Sequence, residues 1–365
     1  MSGTTLFTGA DGYLGGHLAA RVLAEGEEQI VLTVRAADTA EFCDKRARLA
    51  TRLPPEASER VSYACVDLRK PDPFGDLDPE PVTRVVHAAA VTRLNVGYAD
   101  ALAVNVEGTS RAIEWARRCP RLQRFALIST LYASGRMQGI VAEGPLPDSG
   151  FVNHYEWSKW ESERIAIQAA ADIPISILRV PTLIAEDDSG RVVQFNAFHN
   201  TLKLLFYGLL SFFPGTPATK LPVSTAAFVS AATTRLLDIA VPDGIYNVCP
   251  DSTATLGELM DAAFTVFESD DRFRRLRMAR PAYCDSDDFT KAVLADRNGG
   301  AGAVSTSLGS VAPFAEQLCI VKEFQTAALR THWPDYQAPD PVELATAATS
   351  YLVETRWGRY LEETA

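Results

Sequence analysis

Thr4-Thr5-Leu6-Phe7-Thr8-Gly9-Ala10-Asp11-Gly12-Tyr13-Leu14-Gly15 decides how the rest of the chain reads. Thr4, Leu6 and Phe7 predict a short buried strand, and His17 to Leu23 an amphipathic helix. Between them the G-x-x-G-x-x-G pattern gives strand, glycine turn and helix, the context in which such glycines carry meaning. Gly9 permits the tight turn, Gly12 lets backbone approach a pyrophosphate, and Gly15 lets the helix pack closely on the strand. The free N–H groups at the helix start, at Tyr13 and Leu14, would attract the anion. A carboxylate at Asp11 is unfavourable beside a pyrophosphate unless it caps the helix that follows.

Working outward, Glu28 to Val34 reads as a second strand with Arg35 at its end. An acidic residue there would grip a ribose 2′-hydroxyl, whereas an arginine suits the 2′-phosphate of NADP. Arg46 or Arg48 on the next helix could supply a second cation. Val61 to Val66 gives a third strand ending in Asp67-Leu68, which would lie beside the adenine. Arg84 to Ala90 gives a fourth, closing in Ala88, Ala89 and Ala90, where a cofactor backbone must pass closely. Asn105 opens an amphipathic helix running to Arg118, Phe125 to Ile128 is a fifth strand, and Ile175 to Leu178 a sixth. Near-continuous apolar strands alternating with helices predict an α/β fold, a Rossmann-type doubly wound parallel sheet.

After Ala185 the rhythm changes. Residues 1–185 with about 218–249 are expected to form the dinucleotide domain, and about 186–217 with 250–365 a smaller, mainly helical substrate lobe. The run Leu202 to Phe213 suits an acyl tunnel, a lid or a buried core helix. Arg272-Phe273-Arg274-Arg275-Leu276-Arg277 with Arg280 is a cationic cluster, a solvated helix face or a receiver for phosphate or an acidic carrier surface. A glycine-rich interruption is expected at Asn298 to Gly302.

Composition bounds the function. A length of 365 residues, 47% hydrophobic and 22% charged, is that of an ordinary globular protein, and the net charge of −11 argues against general nucleic-acid binding. Six scattered cysteines without metal spacing, and an early glycine motif that leaves no room for a signal peptide, point to a cytoplasmic protein. No spanning helix and no metal site are expected.

The chemistry is carried by Asn153-His154-Tyr155-Glu156-Trp157-Ser158-Lys159. Tyr155 and Lys159 are four apart, so on a helix they share a face. A phenol with an ordinary pKa of about 10 is a poor acid at neutral pH, and an ammonium one turn away favours the phenolate. Thr130, at the end of the fifth strand, would join Tyr155 in polarising a reacting oxygen. It is preferred over Ser129 because successive strand residues face opposite ways.

With these residues in order, the sequence resembles an extended short-chain dehydrogenase/reductase. It is most similar to the thioester reductase and fatty acyl-CoA reductase branch, through Val34-Arg35-Ala36, Ile128-Ser129-Thr130, Tyr155 to Glu163, and the stretch from Glu323 to Leu352. The resemblance implies NADP(H) held by Gly9, Asp11, Gly12, Tyr13, Leu14, Gly15, Arg35 and Arg46. It adds Asp67, Leu68, Ala88 to Ala90, Asn105, Val180 and Thr182, with Tyr155 and Lys159 at the ribose. It further implies hydride transfer to an acyl thioester delivered on coenzyme A or a carrier protein, with Thr130 and Tyr155 stabilising the oxyanion. A hemithioacetal would collapse to an aldehyde, possibly reduced on to an alcohol. Alternatives are a sugar-nucleotide epimerase or dehydratase, a hydroxysteroid-type dehydrogenase, or a non-catalytic NADP-binding scaffold.

Overall fold

The structure is a computed structural model that describes residues 3–299 and 311–358, so residues 300–302 of the expected glycine-rich interruption lie outside the described residues. Its centre is a sheet of seven strands, all parallel. They are β1 (Thr4–Thr8), β2 (Gln29–Val34), β3 (Val61–Cys65), β4 (Val82–His87), β5 (Arg124–Thr130), β6 (Ile175–Val180) and β7 (Ile245–Asn247). Across the sheet they lie in the order β3-β2-β1-β4-β5-β6-β7. The chain therefore winds one way from β1 through β3 and the other way from β4 onward. In such sheets ligands bind outside the carboxyl ends of the strands where the direction reverses, here between β1 and β4.

The covering helices follow from local sequence. Helix α1 (Tyr13–Glu25) turns Leu18, Ala19, Val22 and Leu23 onto the sheet. Helix α2 (Thr39–Ala50) starts because Asp38 accepts the Glu41 amide. The expected helix from Asn105 instead begins inside a π-helical turn, Ala101–Val106, and continues as α3 (Glu107–Ala116). Helix α4 (His154–Ala169) is started by Asn153, whose side chain accepts the Glu156 amide at 3.0 Å. Capping of this kind is worth about 1 kcal/mol and fixes where Tyr155 sits in the first turn.

One apolar cluster lies on each face of the sheet, and a third fills the space beyond β6. That third cluster unites α5 (Ala197–Phe206), α7 (Leu256–Ser269) and α8 (Pro341–Glu354), with the rings of Phe206, Phe267 and Phe273 in mutual contact. Helix α6 (Ala226–Leu236) returns to the sheet, as its buried Phe228, Val229 and Ala232 require. The segment just before α8 does not stay in the third cluster. Leu329 is buried beside the α6 layer and Trp333 stacks on Phe228 with centroids 5.8 Å apart, because their apolar surface matches that helix. The short strand Lys322–Phe324 pairs in parallel with Gly139–Val141, behind β5.

The arginine cluster is largely neutralised locally. Arg272 pairs with Asp270, Arg274 with Asp271, and Arg280 with Asp261 while lying over the Phe264 ring.

Candidate active site

The reversal between β1 and β4 opens into one cavity of about 1190 Å³. Gly9 holds φ +72, and a Cβ there would sit 2.7 Å from the Ala89 backbone, so the two loops leaving β1 and β4 meet only because Gly9 lacks one. A Cβ at Gly15 would strike the Gly9 carbonyl at 2.1 Å, which explains how closely α1 packs on the turn. Gly12 is the N-cap of α1 and offers no side chain to its amides, leaving them for an outside acceptor.

Around this turn Gly9, Asp11, Gly12, Tyr13, Leu14 and Gly15 line the cavity. So do Arg35 beyond β2, Asp67 and Leu68 beyond β3, and Ala88, Ala89 and Ala90 beyond β4. Thr130, Tyr155, Lys159, Val180 and Thr182 line its middle.

Two expected cofactor residues are elsewhere. Arg46 lies over the Tyr63 ring, 5.3 Å from its centroid, and does not line the cavity; its neighbour Lys45 does, because the α2 helix turns only one of two successive residues that way. Asn105 is buried behind the wall. Its amide group accepts from Val91 N at 2.8 Å and donates to Val91 O at 3.0 Å and Ser158 Oγ at 2.8 Å. It is thus a clamp between the β4 loop and α4, and the π-helical turn is what aims it there. Asp11 does not cap α1. It faces Lys45 Nζ at 3.6 Å, and that lysine also donates to Arg35 O at 2.6 Å and pairs with Glu41 at 2.9 Å. Arg35 itself has no ion-pair partner among the described residues.

At the centre, the Thr130 hydroxyl stands beside the Tyr155 phenol and accepts the Tyr132 amide at 3.3 Å. Burial pushes that phenol up to about 12, the Thr130 hydroxyl pulls it down, and the neighbouring Glu156 charge pushes it up again. Lys159 Nζ donates to Ile128 O at 2.7 Å. Burial lowers its ammonium to about 8, against the pull of Glu163. The ammonium is therefore held by the end of β5, and burial, the largest influence on the phenol, keeps it protonated. Ser129 points the other way and donates to Glu163 Oε1. Glu163 is locked by Arg179, with Nη2 to Oε2 at 2.7 Å, in a pair that is almost wholly buried. Breaking one partner of such a pair costs about 3–5 kcal/mol, so α4 is anchored against β5 and β6 just behind the site. His87 bridges Thr8 at 2.8 Å and Thr109 at 3.2 Å, and burial drops it to about 3, so it is a neutral structural link.

Beyond Tyr155 the cavity turns apolar, with Phe198, Leu202, Leu205, Phe213, Leu256 and Met260 on its walls. Within the Leu202–Phe213 run, Leu204 and Phe206 face the core while Leu202 and Leu205 also border the cavity. Sequence reading missed Lys45, and it missed Tyr132. The Tyr132 hydroxyl shares a hydrogen bond with Thr182 Oγ1 at 2.9 Å and its ring meets Phe314 edge-on at 5.0 Å. Its signal would have been its place two residues after Thr130. Phe314 had none, lying 184 residues from Thr130 in sequence.

The sequence profile of a family described as Male sterility protein, an NAD-binding family, matches residues 7–233. An isonitrile lipopeptide synthase of Streptomyces coeruleorubidus is 28% identical over 202 residues, 51% of this chain and 14% of that protein. The fatty acyl-CoA reductase wat of Drosophila melanogaster is 26% identical over 209 residues, 47% of this chain and 40% of that protein. The chain thus spans well under half the length of these curated relatives. Among solved structures, the terminal R domain of the myxalamid PKS-NRPS pathway superposes with a TM-score of 0.79 at 18% identity, covering 97% of this chain and 91% of that one. UDP-glucuronic acid 4-epimerase from Bacillus cereus, solved with NAD, superposes at 0.65 and 16% identity, covering 96% and 99%. Among the described residues no helix is long and apolar enough to cross a membrane.

Proposed function

Since the chain belongs to the Male sterility family, an NAD(P)-binding oxidoreductase family of thioester reductases with an extended short-chain dehydrogenase/reductase fold, we propose that it reduces an acyl thioester with NADPH. The observation that carries this reading is continuity. One cavity runs from the glycine turn, past Thr130 and Tyr155, into an apolar pocket suited to an acyl chain.

The residues present fit a dinucleotide. The uncapped start of α1 would receive the pyrophosphate, Asp67 and Leu68 would border the adenine, and Arg35 with Lys45 would face a 2′-phosphate. When bound, NADPH supplies the hydride. Thr130 and Tyr155 would hydrogen-bond the thioester carbonyl oxygen and hold the negative charge that develops there. The phenol, kept protonated by burial, would then give that oxygen its proton. Lys159, anchored on Ile128 O, would hold the ribose and return a proton to Tyr155. Loss of the thiol from the hemithioacetal leaves an aldehyde, and a second reduction at the same site would yield the alcohol. The R-domain likeness supports delivery of the thioester on a carrier protein, with coenzyme A as the other donor. Biosynthesis in the cytoplasm suits such a donor.

The test is NADPH oxidation with a medium-chain acyl-CoA and with the same acyl group on a phosphopantetheinylated carrier protein, trapping the aldehyde. Consumption with either thioester is expected. Turnover of a UDP-sugar with neither thioester consumed would replace this reading with the epimerase one.

A further inference from the structure

The reaction proposed above uses Thr130, Tyr155 and Lys159 and leaves the residue next to the tyrosine without a task. Glu156 lies in the first turn of α4, where a carboxylate ordinarily caps the helix in water. Here it is fully buried, at 0% exposure. Its Oε2 accepts Val152 N at 3.0 Å and Gln317 Nε2 at 2.9 Å, and its Oε1 accepts Asn153 Nδ2 at 3.2 Å. Gln317 is 161 residues away in sequence and carries the bond onward. Its Nε2 also donates to Gly135 O at 2.9 Å, and its Oε1 accepts Lys322 Nζ at 2.9 Å. Lys322, buried too, donates as well to Gly135 O and, at 3.1 Å, to Ser134 Oγ.

Each end of this chain of bonds touches the reaction. Gly135 and Ser134 close the turn that follows Thr130 and carries Tyr132. Residues 311–322 supply Val311, Pro313, Phe314 and Leu318 to the cavity wall. Asn153 Nδ2 reaches Pro313 O at 3.2 Å, so the residue that caps α4 also holds the wall. A carboxylate that served only to cap α4 would need neither burial nor a lysine brought from the far end of the chain. A buried charge is costly and is sustained only by satisfied partners.

We infer that Glu156 is a positioning residue for Tyr155, tying the phenol, the Thr130 turn and the acyl wall of residues 311–322 into one unit through Gln317 and Lys322. The inference rests on the thioester-reductase reading for its chemistry, and its geometry stands apart from that reading. The groups facing Glu156 are Lys322, the Arg136–Glu316 pair, Tyr132 and Tyr155. Burial pushes the Glu156 carboxyl up and the Lys322 ammonium down, and each charge partly restores the other. The Glu156 charge raises the Tyr155 phenol, favouring the form that donates a proton.

The experiment uses the full chain with Glu156→Gln, Gln317→Leu and Lys322→Met. In Glu156→Gln, kcat is expected to fall at least about tenfold while the NADPH Kd stays within about twofold. The alkaline limb of its kcat profile should move down by about half a pH unit, a change that a purely structural tie would not produce. Hydrogen exchange should quicken together in residues 131–136 and 311–322 and stay unchanged in β1 and β2. Gln317→Leu cuts the link while keeping both charges, so it should reproduce the coupled exchange without the pH shift; it serves if Lys322→Met fails to fold. Unchanged exchange in both segments, or a kcat loss matched by an equal loss of NADPH affinity, overturns the inference. If exchange behaves as expected but the wild-type protein reduces no thioester, the coupling stands and only the reaction assigned to it falls.

Discussion

The half of the cavity around the glycine turn and its apolar half are built on different plans. Around β1 and β4 the walls are backbone and small side chains, Gly9, Gly12 and Ala88 to Ala90, drawn from two short loops at the carboxyl ends of two neighbouring central strands. Beyond Tyr155 the walls are large apolar side chains from α5, α7 and residues 311–318, brought together only by the third apolar cluster. The first half depends on atoms that are missing, so a single added carbon closes it. The second depends on bulk, and it should yield gradually. Between them stand Thr130 at the end of β5 and Tyr155 and Lys159 on α4, all three lining the cavity.

The sharpest way to break this division is at the junction. Tyr155→Phe should lower kcat by about 10²–10⁴-fold while leaving NADPH affinity intact, measured by steady-state turnover and by fluorescence titration. Surviving turnover would mean that the proton comes from another group. Next in size is Gly9→Ala. It places a Cβ 2.7 Å from Ala89 on a residue with positive φ, so destabilisation of about 2–3 kcal/mol and loss of NADPH binding are expected in thermal unfolding and titration. An unaffected melting temperature would show that the two loops can part.

Arg35→Asp should move the kcat/KM preference for NADPH over NADH by about tenfold or more, since a bidentate cation is replaced by a repelling carboxylate. An unmoved ratio would shift the role to Lys45. On the apolar side, Phe198→Ala should raise KM for a long acyl thioester about tenfold and leave a short one nearly unchanged, consistent with about 1–2 kcal/mol of lost apolar contact. Equal effects on both chain lengths would remove this wall from substrate recognition. The smallest effect is expected from pH. The Lys159 ammonium has its pKa lowered to about 8, so its charge is present below that pH and lost as pH rises through it. NADPH binding should therefore weaken severalfold above pH 8, and Lys159→Met should bind weakly at every pH with that dependence gone.

How much of this could be read without coordinates differs between the halves for the same reason. The glycine turn, Arg35, Asp67, Thr130, Tyr155 and Lys159 sit at the ends of strands or at helical spacing, so their neighbours are fixed by local geometry and by the rule that parallel strands are joined by helices. Arg46 was placed one residue away from the lysine that faces the cavity, because sequence gives the helix but not its rotation about its axis. The clamp that Asn105 forms between Val91 and Ser158 leaves no trace in sequence, because a side-chain amide reads the same whether it meets a ligand or a backbone. The Glu156–Gln317–Lys322 chain has no local trace at all.

The sequence by itself determined the parallel sheet, the glycine turn at the start of α1 and the pairing of a tyrosine with a lysine on one helix face. All of these follow from contacts within a few residues or from alternation of strand and helix. Only the tertiary structure decided which arm of α2 meets the cavity, that burial holds the phenol protonated, and that residues 311–322 return to wall the site. These depend on which surfaces touch across more than a hundred residues, and burial, dielectric and packing are properties of the assembled contacts.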